Sequence, residues 1–156
     1  MFELPMLIFK MTGEKSLIEL TMDEVFGYPE STDVAGGYSA KGILTIRSGS
    51  YSVSDIHYFA TGELYDFMND LQRAYDCLSG EVVLRNFERE LDLTCAFDKI
   101  GHVFVKGRFQ AIPSVDNILE FELKTDQTQV CEAIGQLKKV VKIFGDNKGK
   151  KGRKTE

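Results

Sequence analysis

Apolar and polar residues alternate over 91 to 98, where Leu91, Leu93, Cys95 and Phe97 interleave with Asp92, Thr94 and Asp98. A period of two puts each set on its own face of a strand, one buried and one wet. After the turn DKIG the alternation resumes, with Val103, Val105 and Phe109 against His102, Lys106, Arg108 and Gln110, so the segment predicts an antiparallel hairpin. Gly101 supplies the positive φ of a short turn, and the Asp98 carboxylate can accept from amides just ahead of it. Strands of the same kind are predicted over 6 to 11, 16 to 26, 43 to 48, 51 to 58, 81 to 87 and 117 to 123.

Two segments break this period. In TGELYDFMNDLQRAYDCLSG the apolar positions Leu64, Phe67, Met68, Leu71, Ala74, Tyr75 and Leu78 recur at threes and fours, as on an amphipathic helix. Thr61 is placed to cap its start and Gly80 to close its end. A second helix is predicted behind Asp126, with the stripe Val130, Cys131, Ile134, Leu137, Val141 and Phe144, ending at Gly145. The order strands, helix, four strands, helix, with hairpin-length connections in the second block, implies antiparallel neighbours. The fold class is therefore α+β: a curved antiparallel meander of about seven or eight strands whose two helices cover one face. Residues 1 to 145 form one domain on this reading, and 146 to 156 a disordered basic tail.

Charge sharpens the picture. The net charge of −5 hides a tail, DNKGKKGRKTE, of net +3, which leaves −8 on residues 1 to 145. Residues 1 to 35 alone carry −5, from Glu3, Glu14, Glu19, Asp23, Glu24, Glu30 and Asp33 against Lys10 and Lys15. Nucleic acid would repel such a body and a basic protein would attract it. Glu63, Asp66, Asp70 and Asp76 add an acidic stripe to the first helix, with Arg73 the cation among them. No apolar run approaches the roughly 20 residues of a membrane helix, and the start MFELPMLIFKM lacks the basic n-region of a signal peptide. A cytoplasmic protein with neither membrane nor nucleic acid as partner is expected. Cys77, Cys95 and Cys131 lie apart in predicted apolar stripes and are expected as buried free thiols.

Candidate chemistry is sparse. Asp55 and His57 share a strand face and, with Tyr58, offer an acid/base pair or half a metal site; the plainer reading is a cross-strand or surface hydrogen bond. His102 sits beside a turn, as a wet strand-end residue does. No GxGxxG, GxxxxGK[ST], GxSxG or CxxC occurs, so no phosphate loop, nucleophile elbow, metal site or cofactor is expected. Asp23, Glu24, Glu30, Asp33, Glu63, Asp66 and Asp70 are the candidate field for a basic protein partner. Tyr28 and Tyr38, in the long polar loop at 27 to 42, are candidate anchors, against the alternative of core or edge tyrosines.

The runs GYSAKGILTIRSGSYSVSD, TGELYDFMNDLQRAYDCLSGEVVL, LDLTCAFDKIGHVFVKGRF and NILEFELKTDQTQV together resemble the WapI-type immunity proteins of Gram-positive polymorphic toxin systems. The matching features are the helix with Phe67 near its start, LSGEVVL leading into a strand, the return strand GHVFVKG, and FELKTDQT passing into the last helix. The resemblance spans roughly 38 to 141. It implies a small cytoplasmic protein without catalysis that binds and blocks a cognate toxin domain, often a nuclease. A ligand-binding or hydrolytic domain using Asp55, His57 and Tyr58 is the alternative, and a self-associating domain, possible as a homodimer, a third.

Overall fold

The computed structural model describes residues 2–86 and 88–150. Nine strands and two helices follow one another as β1 (Met6–Gly13), β2 (Ser16–Met22), β3 (Glu24–Phe26), β4 (Ser39–Ser48), β5 (Tyr51–Ala60), α1 (Thr61–Cys77), β6 (Gly80–Arg85), β7 (Leu91–Phe97), β8 (His102–Phe109), β9 (Leu119–Asp126) and α2 (Gln127–Phe144). The α+β class and the order of elements are as the periodicity predicts. All strand pairs are antiparallel.

The strands differ from expectation in forming two sheets, one of five strands and one of four in the order β6-β7-β8-β9. In the first, β4 is central. It pairs with β5 along one edge and with β2 and β3 in succession along the other. The predicted strand 16 to 26 is thus one path interrupted at Asp23. Leu20 pairs with Leu44 and Glu24 with Lys41, four positions advanced on one side against three on the other, which is the signature of a bulge. The Asp23 amide still donates to Lys41 O at 2.8 Å.

Between the sheets lies α2. The free edge of β1 would leave amides unpaired, and here glutamines satisfy them: Lys10 N donates to Gln136 Oε1 at 2.9 Å, and Thr12 N to Gln129 Oε1 at 3.4 Å, which also accepts from the Thr12 hydroxyl. Thr125 of β9 donates its hydroxyl to Thr12 O at 2.8 Å, so the sheets touch at this corner. The helices pack on each other, α2 also on β1 and α1 on β6. Val130, Ala133, Ile134, Leu137, Val140 and Phe144 are buried on α2, and Leu64, Phe67, Met68, Leu71 and Ala74 on α1. Cys95 is buried, but Cys77 and Cys131 are exposed, because each helix turns a narrower stripe inward than its apolar residues suggest.

Local signals have mixed outcomes. Asp126 Oδ1 accepts from Gln129 N and Gly145 ends α2, as expected. Asp98 accepts from the amides of Ile100 and His102, and its other oxygen lies 3.2 Å from His102 Nδ1. The helix α1 is capped differently from the prediction. Ala60 precedes it, Glu63 Oε1 accepts from Ala60 N at 3.1 Å, and Leu78 at φ 50°, not Gly80, closes it. Of the tail, Asp146 to Lys150 fold back as a turn on the body, the Lys150 amide donating to the Tyr38 hydroxyl at 2.8 Å. Residues 151–156, the rest of the predicted basic tail, lie outside the described residues. No described helix is long and apolar enough to cross a membrane.

Gly42 on β4 lets the bulged path come close: a Cβ there would stand 1.7 Å from the backbone oxygen of Thr21. Gly49, in the β4–β5 turn at φ +64°, faces open space. Gly42→Ala is expected to lose at least about 3 kcal/mol in denaturant unfolding, because backbone must move. Gly49→Ala should lose only about 1 kcal/mol, the cost of a left-handed residue. Equal losses would show that close approach at Gly42 is not what shapes the sheet.

Candidate functional site

The site begins where the long loop meets the start of α1. The hydroxyl of Thr61 does not cap the helix; it accepts from Tyr38 N at 2.8 Å while the Thr61 amide donates to Tyr38 O at 2.9 Å. Gly62 N donates to Gly36 O and Gly37 N to Asn147 O, tying loop, helix and chain end together. A Cβ on Gly37, at φ +70°, would fall 2.3 Å from Thr61 Oγ1, so glycine is required by conformation and by space alike. This junction brings Asp33 of the loop and Glu63 of the first helical turn to one place.

The third wall is the turn between β6 and β7. Asn86, only 4% exposed, organises it: its Oδ1 accepts from Leu91 N at 3.0 Å and its Nδ2 donates to Tyr58 O at 3.4 Å. Arg89 takes the left-handed conformation, φ 63°, in the same turn. The second sheet is thereby latched to β5 of the first. A cleft of about 400 Å³ opens between these walls, lined by Asp33, Val34, Ala35, Ser39, Tyr58, Phe59, Ala60, Glu63, Asn86, Glu88 and Glu90. Among the described residues, four of those lining it are carboxylates and none is a cation.

Behind Glu90 lies His57, 1% exposed. Its ring stacks on Phe59 with centroids 6.0 Å apart and meets Phe109 edge-on at 6.2 Å. The Nδ1 atom stands 3.4 Å from Glu90 Oε1, close enough for an ion pair, yet it has no hydrogen-bond partner. Burial decides its charge: the pKa is pushed down to about 4, against the opposing pull of Asp55. His57 is therefore neutral at pH 7, and the contact is not an ion pair. Glu90 is held above the ordinary carboxylate value, by burial first and then by Glu88 and Asp55.

The sequence-predicted residues divide. Asp33 and Glu63 meet in the cleft. Asp66 and Asp70 continue from Glu63 along the same face of α1, Asp66 with its pKa raised by burial and by Asp70, and Asp70 paired with Arg73. Asp23 and Glu24 lie across β4, where Glu24 is 3.4 Å from Lys41, and Glu30 is exposed in the loop. Tyr38 is fully buried and gives the surface no anchor: its hydroxyl donates to Pro29 O at 3.0 Å, inside the loop. Tyr28 is half-buried against Phe2, Tyr38 and Phe144, with ring centroids 5.1 to 5.5 Å apart.

Asp55, His57 and Tyr58 do not converge on one cavity. Asp55 lines a separate hollow with Phe109 and Ile112, Tyr58 lines the acidic cleft, and His57 is buried between them. The strand reading missed Asn86, Glu88 and Glu90. Their signal was the pair of glutamates in NFERE at a hairpin turn, but which wall they build depends on that turn meeting β5 through Asn86 and Glu90.

His57 gives the site a pH signature. An unfolded His57 binds a proton at about 6.5 and the folded one only near 4, so its contribution to stability is complete above pH 6.5 and is lost as pH falls toward 4. The loss is on the order of 2 to 3 kcal/mol. Glu90 works with the opposite sign near the lower end, since its folded pKa is raised. Denaturant unfolding between pH 7 and 4.5 should show a smaller acid-side slope for His57→Phe than for wild type; parallel slopes would mean that His57 ionises freely in the folded state.

Comparison with curated proteins finds no match. A family model, that of the immunity protein WapI-like family, matches residues 7–145, spanning both sheets, both helices and every residue of the acidic cleft. This chain belongs to the immunity protein WapI-like family.

Proposed function

We propose that the chain is a non-catalytic immunity protein that binds a cognate toxin domain and neutralises it by occlusion. The family match over residues 7–145 carries this reading. Charge supports it and suggests the partner's character. The body outside the tail holds −8, and four of its carboxylates line the cleft, a field suited to a basic, nuclease-type toxin. Asp33, Glu63, Asp66 and Asp70 form the near part of that field, and Asp23, Glu24 and Glu30 the outer part. Tyr28 contributes from within its aromatic cluster by shaping the loop that carries Asp33.

Binding by field and binding by anchor leave different kinetic marks, because long-range charge acts on encounter and buried contact on escape. Co-expression with the toxin domain encoded beside this chain should restore growth, and the two should co-purify. Raising salt from 50 to 500 mM should slow association by about tenfold or more, with dissociation changing less. Neutralising Asp23, Glu24, Glu30, Asp66 and Asp70 together should mimic the salt effect. Association insensitive to both would remove the electrostatic account, and a toxin that kills despite co-expression would remove the immunity reading.

A further inference from the structure

The acidic cleft differs from the acidic surface around it. A solvated carboxylate stripe attracts any cation weakly, since water and salt screen it. A cleft with walls from separate elements holds its groups in fixed relation, and this one, open to solvent on one side, lies near the lower end of the roughly 300 to 1,000 Å³ range of ligand pockets. Its charge is supplied from three separate elements: Asp33 from the loop, Glu63 from α1, and Glu88 and Glu90 from the β6–β7 turn. Two cations stand near it: Arg89, between Glu88 and Glu90 in the turn but outside the lining, and Lys41, opposite Tyr58 in register and 3.4 Å from Glu24.

The second observation is His57. Its Nδ1 is buried and, among the described residues, without a hydrogen-bond partner, 3.4 Å from the carboxylate of Glu90 that lines the cleft. An orphaned buried nitrogen costs stability unless something completes its bond. With its proton on Nδ1, His57 can donate to Glu90 Oε1 once ring and carboxylate turn into line. A cation in the cleft would favour that movement by holding Glu90 ionised and fixed from the other side.

We infer that the cleft is the seat of one arginine side chain of the partner protein, gripped by Glu88 and Glu90 against the Tyr58 ring and backed by His57. The inference rests on the reading of this chain as a partner-binding immunity protein. Arginine fits better than the other cations. The planar guanidinium carries five donors that can address carboxylates on different walls at once, and it stacks on an aromatic face, whereas an ammonium is a compact point charge. A metal ion is disfavoured by the donor set, since among the described residues no three His, Cys, Asp or Glu side chains are arranged to hold one.

Two measurements on the full chain test this. In an NMR titration, N-acetyl-arginine amide should give saturable shifts at Tyr58, Asn86 and Glu90 and move the His57 ring nitrogens, while uncharged N-acetyl-citrulline amide should not. Glu88→Gln with Glu90→Gln should abolish the response, and Glu14→Gln with Glu19→Gln should leave it. Against the toxin domain, the Glu88/Glu90 pair should weaken affinity about tenfold or more, and Glu14→Gln with Glu19→Gln, acids of the first hairpin outside the cleft lining, less than about threefold. Shifts shared by citrulline, or centred on Asp66 and Asp70, would overturn the inference, as would Glu88/Glu90 variants that bind toxin like wild type. If the wild-type chain bound no toxin, the immunity reading would fall, and the arginine titration would still decide what the cleft accepts.

Discussion

Three chain segments meet with almost no side chain between them at Gly36, Gly37, Gly62 and Asn147, and the working surface depends on that contact. A Cβ on Gly62 would lie 2.5 Å from Gly36 C and 3.0 Å from Asn147 Cα, so backbone presses on backbone. The hydrogen bonds between Tyr38 and Thr61 then fix the loop to the first turn of α1, and the Tyr38 hydroxyl, donating to Pro29 and accepting from Lys150, fixes it to both flanks. Without this arrangement Asp33 would sit on a free twelve-residue-scale loop, whose ordering costs about 1 to 2 kcal/mol per residue when a partner binds. With it, the acid is held beside Glu63 before any partner arrives.

A second latch completes the surface. Two sheets that touch at Thr12 and Thr125 could splay at their far ends, and Asn86 joins them there by donating to Tyr58 O. The same asparagine accepts from Leu91 and so shapes the turn that presents Glu88 and Glu90. One buried amide side chain thus sets both the closure of the fold and the position of two carboxylates. His57 lies directly behind the latch, which explains why a residue on a strand face ends up neutral and enclosed rather than wet.

Much of this was legible in the sequence where the physics is local. Period-two runs such as Leu91 to Phe97 became strands, the threes and fours of Leu64 to Ala74 became a helix, and Asp98 and Asp126 took the turn and cap that their short carboxylates favour. The membership of the family was legible too, because turn glycines and alternation over most of the chain make a composite pattern. What escaped reading was long-range. Thr61 looks like a helix cap until Tyr38 claims its hydroxyl, Tyr38 looks like a surface anchor until Phe144 and Tyr28 enclose it, and Cys131 looks apolar until α2 turns it to solvent. Glu88 and Glu90 read as an ordinary hairpin turn because nothing near them in the chain says that β5 is their neighbour.

The electrostatics of the cleft run against the rule that folding sequences pair their charges. Glu90 is raised toward protonation by burial and by its acidic neighbours, and His57 keeps a nitrogen unbonded. Each costs the free protein stability, and neither would persist in a surface optimised for the isolated chain. Both costs would be relieved by one event, the arrival of a cation that neutralises the carboxylates and lets the histidine complete its bond. Under the proposed binding, relief of both costs would add to affinity beyond what the area of a modest cleft contributes.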